Sequence, residues 1–341
     1  MIFFKGGIYM YIKQLASKED NANLEGFLDL LENIVNIEDK RNRLFVFLGA
    51  GFSAKFNLPN WSSLVENIIG DIMYSGDVEE SPDKNEIRFF LVKILHSNMN
   101  IKLKISLINQ LILDKFSSNI LLYDSLKKNI RLNDSVREYS KVSEEELDVL
   151  KKLGKINAVF CTTNFDNILK EVLNINNQIV DSPEYIDFGR KGIIHLHGAL
   201  AKTNEVDFME DLVFDFRAYL EKYNQPGKSQ SLLTEIMHAD KFENSTILFL
   251  GSSMQEPELV GLVSNDKKFN YKYALLGFDT EYEYKIASQF YSNYNIEIIG
   301  YDSSKNHNLF SEIILRISLR LAVKSPGSAL DGILTGFEKG E

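Results

Sequence analysis

Phe47-Leu48-Gly49-Ala50-Gly51-Phe52-Ser53-Ala54 carries an apolar run straight into two glycines spaced by one residue and then into small residues. The run Leu44 to Leu48 reads as a buried strand and the glycines as a tight turn into a helix, the arrangement that cradles a phosphate. In that reading Gly49 allows the reversal, and Gly51 lets the backbone approach a pyrophosphate without a Cβ. Ala50 lies between them, Ala54 allows close packing below, the N–H groups face the ligand and Ser53 adds a donor. A strand-to-helix turn with no ligand is the competing reading.

Working outward, further short runs rich in β-branched and aromatic residues stand at Ile156 to Thr162, Ile193 to Leu196, Thr246 to Leu250, Tyr273 to Phe278 and Ile296 to Tyr301. Each is nearly all apolar, as a strand covered on both faces requires. Helical spacing appears between them, in Leu64, Ile68 and Ile69, in Ile168, Leu169 and Leu173, and in Leu309, Ile313, Ile317 and Leu321. The alternation predicts an α/β chain, a Rossmann-like parallel sheet with helices on both faces. Residues 71–153 show only helical patterns, such as Ile87 to His96 and Ile105 to Ile112, and read as a helical insertion subdomain within a domain spanning 44–323. Residues 1–43 read as an N-terminal strand and helix extension, and 324–341 as a tail loosely tied to the core.

The 341 residues and their 44% hydrophobic content suffice for a sizeable core, which excludes collagen-like and wholly disordered classes. With 38 basic against 48 acidic residues the net charge is −10, which argues against direct nucleic-acid binding through phosphate neutralisation. Cys161 is the single cysteine, so neither an internal disulfide nor a multi-thiolate zinc site can form, and a reducing, cytoplasmic setting is expected. The apolar start, Met1 to Ile12, is too short for a membrane span, is interrupted by Lys5, Gly6 and Gly7, and lacks the order of a signal peptide. It reads as a first strand or a subunit contact, with no membrane association.

A dehydrogenase would next show a second strand ending in an acidic residue about 20 positions on. Here that stretch is Trp61-Ser62-Ser63-Leu64-Val65-Glu66-Asn67, a capped helix, so hydride transfer is disfavoured. The second polar segment, Phe160-Cys161-Thr162-Thr163-Asn164-Phe165-Asp166-Asn167, again ends an apolar run, where ligands gather in open α/β sheets. Thr163, Asn164 and Asp166 are able to fix hydroxyls, an amide or a water; Asp166 reads equally as a helix cap. Third, Ile193-Ile194-His195-Leu196-His197-Gly198 places two histidines on one face of a strand, either of them a base near neutral pH and one of them structural. Two histidines without a third ligand do not make a metal site, and none is expected. Fourth, Gly251-Ser252-Ser253 ends another apolar run and suits ribose or phosphate hydroxyls, or is an unliganded turn.

These four pieces, in this order, resemble the sirtuin-like fold, specifically its bacterial branch of NAD-cleaving enzymes from phage-defence systems. The resemblance runs from about Leu44 to Leu321. It implies that Gly49 to Ser53 cradle the dinucleotide, that Thr162 to Asp166 face the nicotinamide ribose, that His197 is catalytic, and that Gly251 begins a later ribose-binding turn. Leu58-Pro59-Asn60-Trp61, Phe214-Asp215-Phe216 and Ile296 to Tyr301 followed by His307 resemble further motifs of that branch. Protein-deacetylating sirtuins usually carry a four-cysteine zinc module, which one cysteine cannot build. The resemblance therefore favours hydrolysis of NAD, with Asn164, His197 and Asp166 as catalytic residues.

Free NAD cleavage in a cell is toxic, so the chain is expected to be held inactive until a partner or a change of assembly releases it. Leu330, Ile333, Leu334 and Phe337 fall on one helical face of the tail, suited to a partner's groove, with packing on its own domain as the competing reading. The resemblance implies an effector of abortive infection, a homo-oligomer, and companions such as a HerA-type ATPase, an Argonaute-like protein or a phage trigger. Three other readings use the same residues: a module that senses NAD or ADP-ribose without cleaving it, metal-assisted hydrolysis at His195 and His197, and an NAD-dependent protein deacylase.

Overall fold

Leu44, Val46 and Leu48 turn to one side of their strand and Phe45 and Phe47 to the other, and all five are buried. Such a strand needs cover on both faces, and the fold supplies it. The computed structural model describes residues 3–4, 7–8, 10–35, 44–132, 134, 142–156, 158–175, 178–179, 192–202, 208–223, 245–254, 260, 263, 269–304 and 308–323. The tail and His307 lie outside them.

The described strands are β1 (Phe3–Phe4), β2 (Gly7–Ile8), β3 (Met10–Ile12), β4 (Leu44–Leu48), β5 (Ala158–Thr162), β6 (Gln178–Ile179), β7 (Ile193–His195), β8 (Ser245–Leu250), β9 (Phe269–Phe278) and β10 (Glu297–Asp302). β1 and β2 form a two-stranded antiparallel pair. The other eight make one sheet in the order β3-β10-β9-β8-β4-β5-β7-β6, with every neighbouring pair parallel. From β4 the chain moves outward through β5 to β6 and β7 on one side. It then returns to β8 on the other side of β4 and continues to β9 and β10. This is the Rossmann-like α/β arrangement, and its reversal of strand order at β4 and β8 opens a crevice at their carboxyl ends.

The N-terminal residues are joined to this sheet. β3 pairs with β10, and the helix α1 (Lys18–Val35) packs on the helix Asn308–Val323. Phe27 is 1% exposed and meets the Tyr273 ring edge-on at 5.4 Å. At the rim of the same packing, Arg320 faces Glu25, Asp29 and Glu32.

The helical region begins earlier than residue 71. The helices α2 (Ala50–Ala54), α3 (Trp61–Met73), α4 (Gly76–Glu80), α5 (Lys84–Leu95), α6 (Ile101–Phe116) and α7 (Ile120–Asn129) follow β4. From α3 onward they share a core that includes Leu64, Ile68, Ile87, Ile108 and Leu126. Phe165, Leu200, Leu212 and Phe214 join that core, so the helical layer is packed onto the loops after β5 and β7. The helix Glu144–Leu153 departs from it, since Leu147, Leu150 and Leu153 pack in the main core beside the helix Asn308–Val323. Among the described residues no helix is long and apolar enough to cross a membrane.

If α1 is part of the core, Phe27→Ala lowers unfolding stability by about 3–5 kcal/mol, as buried Phe truncations do. Arg320→Ala, at a solvated ion cluster, costs about 1 kcal/mol or less. Urea denaturation of both variants checks this; an unchanged midpoint for Phe27→Ala would make residues 1–43 a separate extension.

Candidate functional site

All four polar segments singled out in the sequence end on the same side of the sheet, at the carboxyl ends of the consecutive neighbours β8, β4, β5 and β7. The β4 and β8 ends interlock. Gly49 N–H donates to Leu250 O at 2.9 Å, Gly51 N–H to Gly251 O at 2.7 Å, and Phe52 N–H to Gly49 O at 3.0 Å. Gly251 has φ +67°, and a Cβ there would lie 2.3 Å from Phe52 N. Only glycine satisfies both demands. The expectation that the N–H groups of this turn face a ligand is thus corrected at residues 49, 51 and 52. Strand β8 runs beside β4 past Leu48, so its Leu250 O and the following Gly251 O take the donors of Gly49 and Gly51, Gly49 O takes that of Phe52, and Gly251 fills the space that the missing Cβ of Gly51 leaves. Ala54 is also corrected as a packing residue: it is exposed, and Phe52, 0% exposed, packs inward instead.

What this turn delivers to the site is the Ser53 side chain. Ser53 Oγ donates to Asp166 Oδ2 at 2.9 Å and accepts from Asn164 Nδ2 at 2.8 Å. Ser53, Asn164 and Asp166 are all buried. With Nδ2 engaged, Asn164 Oδ1 has no hydrogen-bond partner among the described residues and is the acceptor left for a ligand. Asp166 also serves the helix reading, since its Oδ1 accepts from Ile168 N at 3.0 Å at the start of the helix Ile168–Val172. Thr162 Oγ1 is occupied between strands, donating to Leu48 O at 2.7 Å and accepting from Asn164 N at 3.0 Å. Thr163 is buried beside them. At the β8 turn Ser252 Oγ accepts from Met254 N, and Ser253 is exposed.

The two histidines part company. His195 ends β7, and its Nδ1 lies 3.0 Å from Asn164 O. Burial pulls its imidazole down to about 4, against the Asn164 carbonyl, which favours the protonated ring. His197 lies beyond the strand in the turn, fully buried, with its ring edge-to-face against Tyr219 at 6.3 Å. Lys102 of α6 stands 3.1 Å over the Tyr219 ring. Gly198 (φ +83°) lets the turn close against Asp211 O, and Val213 N–H donates to His197 O at 2.9 Å. Neither Tyr219 nor Lys102 carries a sequence signal of its own, because Tyr219 meets His197 from outside the β7 segment and Lys102 meets Tyr219.

Aromatic rings wall the site on the helical side. Trp61 contacts Phe165 at 5.4 Å and Phe214 at 6.1 Å, and Phe165 meets Phe214 at 5.6 Å. Three quoted segments thereby converge on the residue between Asn164 and Asp166. Asp215 Oδ1 accepts from Ala218 N and caps the helix Phe216–Tyr223. A separate cleft of about 660 Å³ between α5 and α6, floored by Phe90, Ile94, Leu107 and Leu111, contains none of these residues.

Residues 158–299 match the family model of the SIR2-like domain. The match supports a sirtuin-like domain, spans Asn164, Asp166, His197 and Gly251, and suggests NAD-related chemistry. The Gly49–Ser53 turn and the helical layer fall outside the SIR2-like match. No curated protein matches the chain.

Burial pushes the Asp166 carboxyl up to about 6, against the Ser53 hydroxyl and the Ile168 N–H, which favour its charged form. Between pH ~4 and ~6 the folded chain therefore binds more protons at this group than the unfolded chain, so its contribution to stability falls as pH rises through that window. Asp166→Asn removes the cost of the buried charge. The variant is expected to be more stable than the parent at pH 7.5 by on the order of 2 kcal/mol, with the difference closing near pH 4. Denaturation of both proteins at the two pH values checks the sign.

Proposed function

We propose that the chain is an NAD glycohydrolase, cleaving the bond between nicotinamide and ribose to give nicotinamide and ADP-ribose. One observation carries the reading. The Ser53–Asn164–Asp166 hydrogen bonds draw the glycine turn and the β5 end into one buried polar group, beside the turn that holds His197. The SIR2-like match over residues 158–299 supports NAD as the substrate.

The chemistry asks little covalent work of the protein. Nicotinamide departs neutral from a cationic pyridinium while the ribose becomes oxocarbenium-like. Asn164 Oδ1 accepts from a ribose hydroxyl or an attacking water and fixes its position. His197, in its neutral form, accepts a proton from that water or from a ribose hydroxyl. Asp166, whose burial opposes its charge, is ionised most readily when a cationic pyridinium lies beside it, and so stabilises substrate and developing positive charge together. Residues 49–53 and the Gly251 turn form the wall against which the rest of the dinucleotide lies, with Ala50, Thr163, Ser252 and Ser253 at its edge.

In the same reading the chain is the effector of a bacterial anti-phage system. A companion of the HerA-type ATPase, Argonaute-like or phage-component class, or a change in a homo-oligomer, releases its activity. That part is carried by the resemblance alone.

Incubating the purified chain with NAD, alone and with a companion, and measuring nicotinamide by chromatography tests the function. Nicotinamide release is expected, and Asn164→Ala and His197→Ala are each expected to reduce it by about 10²–10⁴ while leaving the chain folded. NAD bound without nicotinamide release would turn the site into a sensing module. Full activity in either folded variant would overturn the assigned roles.

A further inference from the structure

We propose that His195 is a positioning residue for Asn164: from the neighbouring strand it holds the Asn164 carbonyl and thereby sets where the Asn164 carboxamide meets a substrate. The inference rests on the role given to Asn164 above.

Strand β5 ends at Thr162, so the backbone of Asn164 lies beyond the sheet ladder. Side chains replace the ladder there. Asn164 N–H donates to Thr162 Oγ1, itself anchored on Leu48 O. Ser53 Oγ accepts from Asn164 Nδ2. His195 Nδ1 completes the set at Asn164 O, 3.0 Å away. The helix α2 after β4, the strand β5 and the strand β7 thus each contribute one point of attachment to a single residue.

A carbonyl oxygen only accepts, so Nδ1 carries the proton and Nε2 keeps a bare lone pair. Among the described residues that Nε2 is buried with no hydrogen-bond partner, in a side chain 1% exposed. An aliphatic residue, the usual occupant of a covered strand, would bury no bare nitrogen there. What it would lack is the donor to Asn164. The requirement for an imidazole at position 195 therefore comes from its Nδ1 side, and the ring acts through Asn164 rather than on a substrate.

Three variants separate the contributions. An asparagine side chain brings an amide N–H to the place of Nδ1, a glutamine reaches toward Nε2, and a phenylalanine fills the volume with no donor. In the nicotinamide-release assay, His195→Phe and His195→Gln are expected to lose up to about 10²-fold in kcat, the cost of a misplaced catalytic group, with KM within about threefold. His195→Asn is expected to restore kcat to within about fivefold. A His195→Asn variant as slow as His195→Phe, or a His195→Phe variant as fast as the parent, would overturn the proposal. A second readout does not depend on catalysis. Backbone hydrogen exchange over residues 163–166 is expected to quicken in the Phe and Gln variants and to match the parent in the Asn variant. Equal exchange in all four proteins would overturn the positioning role even if the chain cleaves no NAD, whereas absent cleavage with the expected exchange pattern would overturn the function alone. Imidazole nitrogen shifts give the third check: a protonated Nε2 and bare Nδ1 at His195 would contradict the hydrogen bond itself.

Discussion

A serine hydroxyl between an amide and a carboxylate holds the candidate site together. Ser53 can donate one hydrogen bond and accept another, and here it does both, to Asp166 and from Asn164. These are buried polar groups, so each unmet hydrogen bond would cost on the order of 1–3 kcal/mol. The chain direction of the network also fixes the orientation of the carboxamide. Because Ser53 gives its proton to a carboxylate, it must receive one from Asn164, and Asn164 Oδ1 is left without a partner among the described residues. The interlocked turns after β4 and β8 are what put Ser53 at this point, which is why Gly251 matters to the site although its own backbone is engaged within the protein.

The second constraint is the strand order. Residues separated by more than a hundred positions meet because β8, β4, β5 and β7 are consecutive neighbours with one direction, so all their carboxyl ends open together. The helical layer closes over this edge. Its core is continuous with Phe165, Leu200, Leu212 and Phe214, and Lys102 on α6 reaches the Tyr219 ring that faces His197. The helical layer is thus packed, through Tyr219 and Phe165, against His197 and the loop carrying Asn164.

Much of this was legible in the sequence. Leu44 to Leu48 is too uniformly apolar to be anything but a strand covered twice, and the alternation around it leads to the parallel sheet. The four polar segments each follow such a run, so their gathering at one edge follows from the fold class. What could not be read is what depends on lateral neighbours. No local pattern tells that β8 lies beside β4, and so none tells that Leu250 O and Gly251 O take the N–H groups of Gly49 and Gly51. The two histidines look equivalent in Ile193 to Gly198, and only the end of pairing at His195 divides them. β6, two residues long, is too short to show any period, and β3 is recognisable as part of the main sheet only through its pairing with β10. The start of the helical layer at Trp61 was hidden because a helix bordering a strand and a helix in a separate layer share one apolar spacing.

A crystal structure of the chain with bound ADP-ribose decides whether one pocket spans the four adjacent strand ends. The terminal ribose is expected within hydrogen-bond distance of Asn164 Oδ1 and beside His197, with the pyrophosphate along residues 50–53. Ligand bound in the cleft between α5 and α6, or on the amino-terminal edge of the sheet, would contradict it.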